Sequence, residues 1–280
     1  MILGWFMEEK DTELQALQEE IKSLKEIRKT LRRNFQGMVQ LLVETISMSN
    51  RYLGGHLKRT SEIIKSFRQK QKLSKDDVYR GYYTALLHDI GLVGEDALLI
   101  EKKEEDLSGE EKERYYNHTI LGFKILSSIY NLKRIAAGVK SHHENYDGSG
   151  FPDSLAGKEI PEDARLIRIV DDYDHYRFKY GLTPSESITR LLKNSGKLYD
   201  PRLLNEFEQF VDYYCRNDST TSKTISIKEL EPGMYLDEDI VNRNGALLVP
   251  QGVILDNATI SRIKTFSEIL RNGSSLKVIF

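Results

Sequence analysis

Six histidines, His56, His88, His118, His142, His143 and His175, stand in settings that scattered surface residues would not share. His88 is followed by Asp89 in "LLHDIG". His142 and His143 are neighbours in "SHHENYDGSGFP" and precede Glu144. His118 lies between these pairs, and Asp171 follows an apolar run in "DARLIRIVDDYD". A lone histidine on a helix is usually an ordinary core or surface residue, whereas repeated paired donors ask for a chemical reason. Adjacent helical residues diverge by about 100°, so neighbouring donors fit poorly into one small mononuclear site. They suit a wider site, near a helix end, that holds two ions. Asp89 could bridge two cations through its two oxygens, with imidazoles in the terminal positions. Mixed imidazole and carboxylate donors favour iron, manganese or zinc over calcium or magnesium. Two cations a few ångströms apart clamp the attacking and leaving oxygens of a phosphoryl displacement, and a hydroxide between them would be a strong nucleophile at neutral pH.

Helices must position these donors. Residues 37–217 read as helix after helix. Ser74 with Asp77, Ser108 with Glu111, and Thr183 with Pro184 and Glu186 are helix-start signals, and Gly91 is a stop. Ahead of them, Leu14, Leu17, Ile21, Leu24, Leu31, Phe35, Met38 and Leu42 recur at alternating steps of three and four, with Arg28 in the one missing place. Nearly everything else from 10 to 33 is charged or polar, so residues 1–36 are expected as a coiled-coil helix that pairs two copies. The alternative is an amphipathic helix lying on its own domain. The tail, 222–280, changes to short β-branched runs broken by turns such as Asn244-Gly245, with one helix capped by Asp256. The polar stretch "RNDSTTSK" joins it to the helices. The expected fold is mainly α: an all-helical domain with an N-terminal coiled-coil helix and a small C-terminal β-rich module.

The 280 residues carry a net charge of −2, so no global basic field recruits DNA, RNA or a membrane. Cys215 is the single cysteine, which excludes a disulfide within the chain. It reads as a small apolar residue on a late helix, and a reducing, cytoplasmic setting fits. The opening "MILGWF" is too short to span a bilayer and lacks signal-peptide features. It is expected as a frayed start, and no membrane span is expected.

The order of motifs resembles the HD-GYP branch of the HD phosphohydrolases. The pieces are "GHLKRT" with His56, "LLHDIG" with His88 and Asp89, "YNHTILGFKIL" with His118, "SHHENYDGSGFP" with His142 and His143, and "DARLIRIVDDYD" with Asp171 and Asp174. "GKEIPEDARL" and "YDPRLLNEF" match later family segments, and the resemblance covers about residues 40–212. It implies a bacterial phosphodiesterase that opens cyclic di-GMP to pGpG, in some members continuing to GMP. Two divalent ions, iron or manganese, are implied. His56, His88, Asp89 and Asp171 would hold one, and Asp89 would bridge to a second held by His118, His142 and His143. Glu144 would orient imidazoles from behind the ligands, and Asp174 stands with it in a supporting position. The heptad helix is similar to those joining such domains to an upstream sensor or receiver, or to a diguanylate cyclase partner. The tail is similar to a small module that follows some members.

Four departures matter. The family's "HDIGK" lysine, a substrate-phosphate contact, is Leu92 here, which removes a charge-assisted bond worth about 1.5–3 kcal/mol and thus roughly tenfold to a hundredfold in rate. The signature Gly-Tyr-Pro is Gly150-Phe151-Pro152, expected beside the substrate, although a plain structural turn is the competing reading for Phe151. Gly148 and Gly150 are expected to serve backbone freedom. The segment after Asp174 is short, leaving Arg177 and Lys179 as candidates for phosphate contact or as ordinary solvated charges. His175 has no family counterpart as a ligand and is read as non-metal, while Tyr52 occupies the place of a third-metal glutamate, so two ions are expected. Three other functions stay open: a metal-containing nucleotide-binding effector without turnover, a phosphohydrolase for another cyclic dinucleotide or nucleotide, and a helical domain without metal.

Overall fold

The computed structural model describes residues 2–216, 223–232, 234–251, 253, 255–270 and 273–279. The chain divides into two compact units, Met1–Thr45 and Ile46–Phe280. The described residues of the first unit, 2–45, are helical and belong to α1 (Ile2–Ser49). The helix therefore starts at Ile2, where fraying was expected. It runs unbroken through residue 36, because no proline interrupts it and Gly37 alone costs only about 1 kcal/mol in a helix. Leu14, Leu17, Ile21, Leu24 and Leu31 of the heptad seam are exposed along it.

The second unit is built on helices α2 (Arg51–Lys70), α3 (Lys75–Leu87), α4 (Ala97–Glu101), α5 (Gly109–Ser127), α6 (Lys133–Lys140), α7 (Glu162–Asp174), α8 (Pro184–Leu192) and α9 (Pro201–Arg216). Local chemistry sets their starts. Ser74 and Thr183 accept from the N–H groups of Asp77 and Glu186, and Ser108 and Glu111 cap each other reciprocally at the start of α5. The apolar faces of α2, α7, α8 and α9 meet in one core that includes Ile64, Phe67, Leu166, Val170, Leu191, Leu204 and Phe207. Arg68 of α2 is buried and donates to Glu162 (2.9 Å) and Asp163 (2.8 Å) of α7, fixing the two site-bearing helices against each other. The side chain of Cys215, on α9, lies outside the described residues, as does most of the expected linker.

The tail forms β1 (Lys223–Ser226), β2 (Tyr235–Leu236), β3 (Ile240–Val241), β4 (Leu247–Val249), α10 (Asn257–Thr265) and β5 (Ser275–Ile279). β5 lies between β1 and β2, antiparallel to both, with Thr224 opposite Lys277 and Leu236 opposite Val278. β3 and β4 form a hairpin through Gly245, whose φ of +79° suits glycine. Leu236, Ile240, Val249, Ile260, Leu276 and Val278 close a separate small core. The tail nevertheless belongs to the same compact unit as the helices rather than standing apart. It meets α2 directly: Lys58 Nζ donates to the Leu247 carbonyl at 2.7 Å, and Lys65 lies 3.3 Å from Asp256.

Candidate metal centre

Five helices converge on one buried cluster. His56 projects from α2. His88 and Asp89 follow the last turn of α3, and His142 and His143 follow the last turn of α6. His118 sits on α5, and Asp171 and Asp174 on α7. Both neighbouring donor pairs thus lie at helix ends, where two consecutive side chains escape the angular divergence of a regular helix.

The imidazoles are aimed from behind. Nδ1 of His88 donates to the Ala85 carbonyl and Nδ1 of His142 to the Val139 carbonyl, each at 2.6 Å, and Nδ1 of His118 pairs with the Tyr115 carbonyl. In each case the partner is three residues upstream, so the backbone itself fixes the tautomer and turns Nε2 inward. His56 uses a side chain instead: its Nδ1 donates to Asp174 Oδ2 at 2.8 Å. Asp174 is held in turn by Arg59, with Nε at 2.6 Å and Nη2 at 2.9 Å. Arg59, one turn beyond His56, carried no sequence signal beyond that spacing.

Asp89 stands between two groups of imidazoles. Its Oδ1 lies 3.2 Å from His118 Nε2 and 3.5 Å from His142 Nε2, whereas its Oδ2 lies 3.4 Å from His88 Nε2 and 3.8 Å from His56 Nε2. Asp171 Oδ1 adds to the second side, 3.1 Å from His56 Nε2 and 3.8 Å from His88 Nε2. His143 joins the first, with Asp89, His118 and His142. Asp89 Oδ1, Asp171 Oδ1 and His143 Nε2 are buried and make no hydrogen bond. Unpaired buried polar atoms are costly, and three of them in one donor cluster suit the binding of a cation. The donor types also fit a transition metal.

The electrostatics keep Asp89, Asp171, His142 and His143 in ligand form, whereas at His56 and His88 burial opposes the charge but is outweighed, Asp171 and Asp174 raising His56 to about 10 and Asp89 and Asp171 raising His88. Burial tends to raise the Asp89 carboxyl, but His88, His118 and His142 outweigh it and hold it well below the usual carboxylate range. Burial likewise opposes the ionised form of Asp171, and His175, His56 and His88 hold it low. Burial lowers His142 to about 4 and His143 well below its usual range, so both stay neutral and able to donate a lone pair.

The other expected site residues take several different places. Glu144 does not orient an imidazole: its Oε1 accepts from the Asp153 N–H at 2.7 Å and its Oε2 from the Leu155 N–H at 3.1 Å, so it ties down the loop after Pro152. Phe151 stacks on His143 (centroids 4.9 Å) and on Tyr116 (4.1 Å), and the Phe151–Pro152 bond is cis. Gly148 has the positive φ, +84°, expected of it. Gly150 is required for a different reason: a Cβ there would lie 2.2 Å from the Asn145 nitrogen and 2.5 Å from the His143 carbonyl oxygen. Arg177 donates to the Leu182 carbonyl at 2.6 Å and so serves its own loop. Lys179 lies nearer the cluster. Burial lowers it while Asp171 and Asp89 raise it, and its Nζ is 5.5 Å from the centre of the Tyr52 ring and 3.3 Å from the Ile100 carbonyl. Leu92 is 1% exposed and part of the core. His175, set aside in the sequence, sits with its Nδ1 3.5 Å from Asp171 Oδ1.

A family model described as an HD domain matches residues 40–203, which include every donor of the cluster. The chain belongs to the HD domain family. Among curated relatives of this HD domain, the cyclic di-GMP phosphodiesterase response regulator RpfG of Xanthomonas campestris is 31% identical over 157 residues, covering 53% of this chain and 41% of the relative. A cyclic di-GMP phosphodiesterase of Thermotoga maritima is 31% identical over 179 residues, covering 60% and 48%. The 3'3'-cGAMP-specific phosphodiesterase 2 of Vibrio cholerae is 26% identical over 192 residues, covering 65% and 36%. The chain thus spans less than half the length of these relatives. Among the described residues, no helix is long and apolar enough to cross a membrane.

Proposed function

We propose that this HD domain is a metal-dependent phosphodiesterase acting on cyclic di-GMP, releasing pGpG. The observation that carries this reading is Asp89, whose two oxygens face two separate imidazole groups at 3.2–3.8 Å. His56, His88, Asp89 and Asp171 would hold one ion, and Asp89, His118, His142 and His143 a second, with iron or manganese suited to these donors. Bound there, the ions would supply Lewis acidity to a phosphodiester oxygen and lower the pKa of water. The chain's own residues perform the rest. Asp174, pinned by Arg59, keeps His56 in one tautomer. Phe151 packs on His143 and fixes its ring, while Gly150 and Pro152 would form a rim where substrate passes. Glu144 holds that rim in place through the backbone of 153 and 155.

Position 92 is Leu where the resembled family has a lysine, and Lys179 is proposed to offset that change. It lies in the field of Asp89 and Asp171 on the side of the cluster lined by Tyr52. Its flexible ammonium could reach a substrate phosphate as a point charge. Lys179→Met is therefore expected to lower kcat/KM roughly tenfold, the loss of one charge-assisted bond, with metal content unchanged. The test of the function itself is turnover of cyclic di-GMP by protein loaded anaerobically with iron or manganese, read by nucleotide chromatography. Metal-loaded protein that shows no turnover would overturn the reading. Leu92 favours a second reading, an effector that binds the nucleotide without cleaving it; tight binding with no product would select that. Running 3'3'-cGAMP beside cyclic di-GMP distinguishes a change of substrate.

We further infer that the helix of residues 2–45 pairs two copies through Leu14, Leu17, Ile21, Leu24 and Leu31, all exposed along one heptad seam. Sedimentation equilibrium is expected to give a dimer mass, and Leu17→Glu with Leu24→Glu a monomer. A monomeric parent protein would reject the pairing.

A further inference from the structure

We infer that His175 is a metal ligand, an additional donor to the ion held by His56 and Asp171. The inference rests on the two-ion reading above and extends it to a residue outside the recognised motifs. Four observations lead to it. First, His56 has only one nitrogen to offer, because its Nδ1 is bonded to Asp174. Its Nε2 is therefore the atom that would bind the ion, and it lies 3.1 Å from both His88 Nε2 and Asp171 Oδ1. Second, Asp171 Oδ1 is buried and makes no hydrogen bond. It lies between His56 Nε2 at 3.1 Å and His175 Nδ1 at 3.5 Å. Two donors sharing one ion at bonds of about 2.1 Å sit roughly 3 to 3.5 Å apart, the spacing seen here. Third, the donor atoms of His56, Asp171 and His175 all lie within 4.8 Å of one another.

The fourth observation concerns the backbone. His175 follows Asp171 by four residues, so the helix puts both on one face. α7 ends at Asp174, and His175–Lys179 continues as a single π-helical turn. Such turns are rare and occur often at functional sites. The competing explanation is packing, because the His175 ring stacks on the His56 ring with centroids 4.9 Å apart and planes 3° from parallel. Packing accounts for the ring. It does not account for a nitrogen directed at an unpaired buried carboxylate oxygen.

The chemical consequence is specific. With His175 included, this ion is held by His56, His88, Asp89, Asp171 and His175, one protein donor more than the family pattern implies. A position that would otherwise be open to solvent or substrate is filled. Retention of the ion rises, and access of a substrate oxygen to it falls. His175 is thus a candidate cause of slow turnover that acts independently of Leu92.

The discriminating variant is His175→Phe, which keeps a ring to stack on His56 and removes the nitrogen. Full-length protein is titrated anaerobically with Mn²⁺, and ions retained after dialysis are counted. The parent is expected to hold two ions. The variant is expected to hold one at parental affinity and the other about 10–100-fold more weakly, the scale on which the surroundings of a metal act. A variant that holds both ions as the parent does assigns His175 to packing and overturns the inference. Should the variant fold poorly by circular dichroism, the parent alone decides. X-ray absorption of its Co²⁺ form counts six imidazoles per chain if His175 ligates, all the histidines present, and five if it does not. A parent that binds no ion at all rejects the two-ion reading itself, a different outcome from two ions with five imidazoles.

Discussion

Asp89→Asn is expected to abolish the proposed phosphodiesterase activity, by about a thousandfold or more, and to leave the purified protein with less than one ion per chain. The argument is one of donor count and charge. The carboxylate offers a charged oxygen to each imidazole group, Oδ1 toward His118 and His142 and Oδ2 toward His88 and His56. Asparagine is nearly the same shape but has one acceptor, and its other face presents N–H donors. It can serve one group and opposes a cation on the other. One of the two carboxylate charges that would offset two divalent ions is also gone, leaving only that of Asp171. Several kcal/mol of Lewis-acid stabilisation then disappears, about 4 kcal/mol corresponding to a factor of a thousand. Metal analysis and turnover on the same preparation check it. A variant that keeps two ions and falls less than tenfold in rate would show that Asp89 bridges nothing.

The donor set was legible in the sequence because it is carried by local pairs: His88 with Asp89, His142 with His143, and Asp171 after an apolar run. Helix starts were legible for the same reason, since Ser108 and Glu111 cap each other within one turn. What failed to show was every feature fixed by a chain segment returning from elsewhere. Glu144 is next to His143 in sequence, which invites a role behind the imidazoles, yet its oxygens are taken by the N–H groups of 153 and 155 when the loop folds back. The tail's hold on α2 runs partly through the Leu247 carbonyl, a backbone group any residue would supply. His175 is a different case. The spacing Asp171-x-x-x-His175 is a one-face helical pair visible in the sequence, while the resembled family pattern has no ligand at that position.

Leu92 and Gly91 show how closely the motif is tied to its scaffold. Leu92 is buried, so position 92 contributes to packing as well as lacking a charge. Gly91 is more demanding. A Cβ at that position would lie 2.0 Å from the carbonyl oxygen of His118 and 2.9 Å from the Gly122 nitrogen. Both are backbone atoms of α5, which cannot turn aside as a side-chain tip can. Moving α5 away would draw His118 from Asp89, whose Oδ1 it faces at 3.2 Å.

Gly91→Ala is therefore expected to damage fold and site together. Overpacking against well-packed neighbours costs about 1–3 kcal/mol, and contact with backbone puts this case at the upper end. For a unit of this size, about 3 kcal/mol corresponds to a fall in Tm of roughly 6–12 °C. Gly109→Ala is the matched control, since a Cβ at Gly109 meets nothing within 4 Å. That change is expected to stay within about 0.5 kcal/mol of the parent, as surface substitutions do. Thermal unfolding of the metal-free proteins reads the cost to the fold. The ion count after dialysis reads the cost to the site, which should fall on the ion nearest His118, because His118 moves with α5 whereas His56 and Asp171 lie on α2 and α7. A Gly91→Ala protein as stable as the Gly109→Ala control would mean that α5 can retreat without penalty, and that the glycine of "HDIG" is not what brings Asp89 against His118.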